Sequence, residues 1–125
     1  MKGRQNEIIL DKRNFIILFS ILLVTLFAYS NVYKYDFVRW DDDAYIIYNP
    51  LIQDFSWHGI KTIFTSFDVS NYHPVTTFIN ALELKTLGLH PSHFHAFNVL
   101  IHLVNVILVF VFIRILSVGW DFPAL

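Results

Sequence analysis

The chain has 125 residues, 55% hydrophobic, 18% aromatic and 15% charged, with a mean hydropathy of +0.50. A soluble domain carries about a quarter charged residues, so the composition points to a membrane protein. A net charge of -1 without a basic stripe argues against nucleic acid as a partner, and the absence of cysteine excludes disulfides and thiolate metal sites.

Residues 1–13 carry Lys2, Arg4, Lys12 and Arg13 and are followed by an uncharged run from Asn14 to Tyr33, centred on FIILFSILLVTLFAY. At a helical rise of about 1.5 Å per residue, that run just covers a hydrocarbon core of about 30 Å. A cleaved signal peptide is the rival reading. The run is long for such a peptide, and Ala28-Tyr29-Ser30 only loosely resembles a cleavage site. An uncleaved transmembrane helix over residues 14–33 is therefore predicted.

Residues 34–95 form the intervening loop. It carries the acids Asp36, Asp41, Asp42, Asp43, Asp54, Asp68 and Glu83 against the bases Lys34, Arg39, Lys61 and Lys85. Nothing in its composition marks it as disordered. Ser56 is a good N-cap for WHGIKTIFTSF, where Trp57, Ile60, Ile63, Phe64 and Phe67 recur at helical spacing. Pro74 suits the first turn of a second helix, whose apolar stripe of Val75, Phe78, Ile79, Leu82 and Leu87 stops at Gly88. The pattern predicts two short amphipathic helices lying at the membrane interface.

A second apolar run, AFNVLIHLVNVILVFVFI, extends from Ala96 to Ile113 and closes on Arg114, which can snorkel to the interface. A second span over residues 96–114 follows, with residues 115–125 beyond it. The basic residues before the first span and after the second place both termini in the cytoplasm and the 34–95 loop outside. His95, Asn98, His102 and Asn105 fall on one face of this span. Such groups are costly against lipid, so the stripe should meet protein or water, and helix packing is its ordinary use. Further transmembrane helices, of the same protein or of another subunit, are expected as its partners.

The acid triplet Asp41, Asp42 and Asp43 offers two readings. One is an acidic first turn of a helix through AYIIY. The other is a general base above the membrane surface, taking a proton from an acceptor hydroxyl. Crowding and partial burial both raise a carboxyl pKa toward useful basicity. The histidines of HPSHFH (His90, His93 and His95), with His73 and the acids, admit a zinc or manganese site, but the spacing matches no strong metal motif. No metal ligand is assigned, although three carboxylates are compatible with a divalent cation. No nucleotide-binding loop or serine nucleophile elbow is present.

In order and spacing, WDDDAYIIYNP, YHPVT and LGLHPSHFHAFNVLIH resemble the amino-terminal region of bacterial tetratricopeptide-repeat membrane proteins with a GT-C-type glycosyltransferase region. These are similar to animal transmembrane O-mannosyltransferases that carry such repeats. The resemblance covers Asp36 to Gly119. It implies an all-α membrane fold, of which this chain would be the amino-terminal part. It also implies sugar transfer from a polyprenyl-phosphate donor to a protein or glycan acceptor on the outer face of a bacterial cytoplasmic membrane. By position, Asp41 and Asp42 match the family's paired catalytic acids. His73 and Glu83 match site-lining positions, with Asp43 and Arg39 as further candidates for substrate binding. The family fold needs more spans than two, so the sequence ending at SVGWDFPAL is expected to be inactive alone. The alternative expectation is a small non-catalytic two-span subunit whose outer loop holds a partner.

Overall fold

The computed structural model describes residues 11–119. Lys2, Arg4 and the tail WDFPAL therefore lie outside the described residues. Helices α1 (Lys12–Ala28), α2 (Pro50–Gln53), α3 (Trp57–Thr65), α4 (Pro74–Leu87) and α5 (Pro91–Gly119) follow one another. A 3₁₀ turn at Val32–Lys34 and a π-helical turn at Asp43–Ile47 separate α1 from α2. There is no strand among the described residues, only an isolated bridge between Asp68 and Asn71. The chain divides into two units, residues 1–31 with 97–125, and residues 32–96.

The first unit holds α1 and most of α5. The segments Lys12–Lys34 and Pro91–Ser117 are both long and apolar enough to cross a membrane. Helix α5 begins at Pro91 rather than Ala96 and runs past Arg114, so it is longer than the predicted span. Large apolar side chains point outward all along both helices, among them Phe15, Val24, Phe27, Leu108 and Phe112. A helix that is apolar all round suits lipid rather than water. The hydroxyls of Ser20 and Thr25 fold back onto the carbonyls of Ile16 and Ile21, at 2.8 and 2.9 Å. Folded back in this way, they leave no free donor toward an apolar surrounding.

The second unit is organised by helix caps. Asn49 caps α2 by accepting from Leu51 N–H at 2.9 Å, with Pro50 in the first turn. Ser56 caps α3 through Gly59 N–H at 3.1 Å, as its sequence position predicts. Pro74 opens α4, and Gly88, at φ 76, closes it while donating to Leu84 O. Gly59 is required by close approach, since a Cβ there would overlap the Asp54 carbonyl oxygen. Helices α2, α3 and α4 bury Ile52, Ile63 and Ala81, with Ile46, Leu51, Phe55, Phe78 and Leu84 packed around them. The Phe78 ring stacks against Phe55 and meets Phe64 at centroid distances of 5.8 and 6.0 Å.

Only part of each predicted stripe turns into this core. Ile63 is buried, while Trp57 is 83% and Phe67 73% exposed. Phe78 packs inward, whereas Val75, Leu82 and Leu87 stay outside. Three short helices enclose too little volume to cover the full width of both stripes, so the remainder is left as apolar surface.

Between α3 and α4 the chain reverses through Asp68-Val69-Ser70-Asn71. Asp68 and Asn71 exchange backbone hydrogen bonds of 2.7 and 2.8 Å, and Val69 and Ser70 adopt φ values of 43° and 69°. Two successive positive φ values are those of a tight hairpin turn. A β-branched residue pays a steric penalty in that region. The turn nevertheless sets Asp68 at the start of the segment leading into α4, where the polar side chains of the unit converge.

Candidate functional site: a buried polar network beside an acidic turn

The acids Asp41, Asp42 and Asp43 lie where the chain coils into the helical turn ending at Ile47. Asp42 reaches back to accept from Val38 N–H at 2.8 Å, so one of its oxygens is committed to fixing the turn. Asp41 is exposed, whereas Asp42 and Asp43 are half-buried. Arg39 and the neighbouring Trp40 are exposed. The acidic-first-turn reading therefore describes their backbone setting. It leaves the outward carboxylate, Asp41, free of that structural duty.

Tyr45 follows on the same turn, and its backbone carbonyl accepts from the Asn49 amide at 3.1 Å. Asn49 is 2% exposed. Its Oδ1 is held by Leu51 N–H, which turns the amide nitrogen toward Asp68, 3.0 Å from each carboxylate oxygen. Asp68 is itself only 6% exposed. It also accepts from the Thr77 hydroxyl at 2.9 Å. Thr77, fully buried on α4, lies 3.1 Å through the same oxygen from His73 Nδ1. The His73 ring packs against the Tyr45 ring at 5.1 Å, and the Tyr45 hydroxyl accepts from the Asn71 amide at 2.9 Å. Tyr45, Asn49, Asp68, Asn71, His73 and Thr77 thus form one connected set. Buried polar groups are tolerated when every member is paired, and such networks then hold a single geometry.

Of the predicted site residues, the structure brings His73 into this set and places Asp41 and Asp42 one helical turn ahead of its Tyr45. Asp41 and Tyr45, four residues apart, share a helical face. Glu83 is elsewhere on α4. It is 5% exposed, and its Oε1 has no hydrogen-bond partner among the described residues. Burial without a partner pushes its carboxyl up from the usual 4.5 to about 7.

The histidine-rich segment divides. His93 Nδ1 lies 2.9 Å from Leu87 O, one of the carbonyls left open at the end of α4, and its ring meets His90 edge-on at 5.2 Å. His95 is half-buried, and its Nε2 has no hydrogen-bond partner among the described residues. On α5, Asn98, His102 and Asn105 are exposed, and His102 touches the Tyr29 ring edge-on at 5.4 Å. Among the described residues no three His, Asp or Glu side chains converge as a metal site would require.

Asn49, Asp68, Asn71 and Thr77 were not picked out by sequence reasoning. The Asn-Pro step at 49–50 is a legible cap signal. Asp, Ser and Asn in DVSN are turn formers, but neither central residue, Val69 or Ser70, is one that favours the positive φ values of this turn. Comparison with family models, with characterised proteins and with solved structures yields no match.

Proposed function

We propose that this chain is the amino-terminal part of a GT-C-like membrane glycosyltransferase. Its residue 32–96 unit would work on the extracytoplasmic side, taking a sugar from a polyprenyl-phosphate donor and passing it to a protein or glycan acceptor. The observation that supports the reading is the acidic turn running directly into a connected polar network, in a segment that lies in sequence between two membrane-length apolar helices. Asp41 is the first choice for general base, since its carboxylate is exposed and Asp42 is tied to the backbone. Asp42 is the second. Arg39 and Asp43 would contact the donor phosphate and sugar, and His73 would line the site. The exposed indoles of Trp40 and Trp57 suit a headgroup region, where amphipathic rings concentrate. The likeness of WDDDAYIIYNP and YHPVT to the repeat-bearing GT-C family supplies the reaction class.

Sugar transfer from a labelled polyprenyl-phosphate donor, measured in membranes expressing the complete reading frame, tests this directly. Asp41→Asn should reduce the rate by about 10²–10⁴-fold, the usual loss when a general base is removed. Unchanged transfer at normal expression in both Asp41→Asn and Asp42→Asn would remove the assignment.

One observation favours a second reading, a non-catalytic membrane subunit. Asn98, His102 and Asn105 leave an exposed polar stripe on an otherwise apolar helix, and a partner helix would satisfy it. Crosslinking from Asn105 to another subunit, with no transfer activity in any membrane preparation, would favour that reading.

A further inference from the structure

The Thr77 hydroxyl has one proton and three oxygen or nitrogen neighbours. Asp68 Oδ2 is 2.9 Å away, His73 Nδ1 3.1 Å and His73 O 3.3 Å. A carboxylate only accepts, and it is both the nearest and the strongest acceptor of the three. One N–H of the Asn49 amide, oriented by Leu51 N–H, is shared between the two Asp68 oxygens while the other goes to Tyr45 O, so both Asp68 oxygens act as acceptors. Thr77 therefore spends its proton on Asp68. Its oxygen can then only accept from His73. With the proton on Nε2 instead, two lone pairs would face each other at 3.1 Å.

We infer that Asp68 and Thr77 lock His73 as the Nδ1–H tautomer, so that its Nε2 lone pair serves as a hydrogen-bond acceptor for a hydroxyl-bearing ligand, a sugar or a hydroxylated acceptor, rather than as a phosphate-binding group. Three observations and one chemical argument converge on this. The ring rests against Tyr45 in a tilted contact at 5.1 Å and 58°, and Tyr45 is itself held by Asn71. Its Nδ1 edge is engaged by buried Thr77. Its Nε2 makes no hydrogen bond with any described residue, and the residue is half-buried rather than enclosed. Finally, a neutral imidazole nitrogen repels a phosphate oxygen but accepts from O–H. Fixing a histidine tautomer through a partner on the other nitrogen is a general device for aiming one nitrogen at a ligand. Thr77 and Asp68 are positioning residues here, and the ligand contact belongs to His73. The ligand class rests on the transferase reading, whereas the tautomer does not.

The test is ¹⁵N NMR of the histidine rings in the full 125-residue chain in lipid nanodiscs, in mildly alkaline buffer where imidazole is neutral. His73 is assigned by its loss in His73→Gln. The expected signature is a protonated-type Nδ1 and a lone-pair-type Nε2. Thr77→Ser should retain it, and Thr77→Val should shift the population toward Nε2–H. A wild-type His73 with the proton on Nε2 overturns the tautomer lock, whatever the variants do. Titration with a methyl hexoside should move the Nε2 resonance, and dimethyl phosphate, a phosphodiester without an O–H, should not. A response to dimethyl phosphate, or none to the hexoside, overturns the ligand class. Failure of the transfer assay on Asp41→Asn would touch only the reaction assignment, so the two readings fail separately.

Discussion

Replacing Asp68 by alanine should loosen the 32–96 unit more than replacing its partner Thr77 by valine. The substitution takes both acceptor oxygens from the Asn49 amide and the nearer acceptor from Thr77. Asn49 retains Tyr45 O at 3.1 Å, and Thr77 can fall back on His73 O at 3.3 Å. One donor is therefore stranded and one bond weakened. A buried donor left unpaired costs about 1–3 kcal/mol, and a bond to a charged group contributes about 1.5–3 kcal/mol. Removing a buried charge returns part of its desolvation penalty. The balance is a loss of about 2–4 kcal/mol for Asp68→Ala and about 1–2 kcal/mol for Thr77→Val. Because the two side chains share a bond, the double variant should fall short of the sum by about 1–2 kcal/mol. Helicity is a poor assay, since the apolar spans stay helical in detergent. Native-state hydrogen exchange at the Ile52, Ile63 and Ala81 amides in nanodiscs reads the unit's own opening. Protection within about 0.5 kcal/mol of wild type in Asp68→Ala, or strict additivity in the double variant, would refute the network's role.

Other outcomes follow from the same geometry. Glu83 holds its proton up to about pH 7 in the fold against 4.5 when unfolded, so its contribution is full below pH 4.5 and is lost as pH rises through 7. The shift alone corresponds to about 3 kcal/mol, and solvent screening brings this to about 1–2 kcal/mol between pH 5 and pH 8. Glu83→Gln should abolish that slope in exchange protection, and a retained slope would place its origin elsewhere. Val69→Gly should stabilise the turn by about 1 kcal/mol, because glycine adopts φ 43 without steric cost, as urea-dependent exchange would show. Gly59→Ala should cost about 3 kcal/mol, since the new methyl overlaps the Asp54 carbonyl and the start of α3 must move; unchanged protection of the Ile63 amide would contradict this.

The helices were legible because their signals are local. Ser56, Pro74 and Gly88 end or begin helices through bonds reaching three or four residues, and the two apolar runs declare themselves by length. The limits of α5 were not, because Pro91 starts a helix equally well outside the apolar run. The polar network was illegible for a different reason. Asn49, Asp68 and Thr77 meet across 19 and 9 residues of sequence, and no periodicity connects them. The turn that delivers Asp68 is also concealed, since Val69 occupies a conformation that its side chain disfavours. Glu83 stood out in the sequence only through the family resemblance, as a site-lining acid. Its burial is a tertiary fact.

The whole account requires the 32–96 unit to lie across the membrane from the amino terminus, and the cysteine-free sequence makes this simple to measure. A single Gln53→Cys variant, at an exposed position ending α2, is treated with a membrane-impermeant maleimide on intact cells. Labelling equal to that after permeabilisation is the predicted result. Labelling only after the membrane is opened would put the acidic turn in the cytoplasm and contradict the proposed reaction.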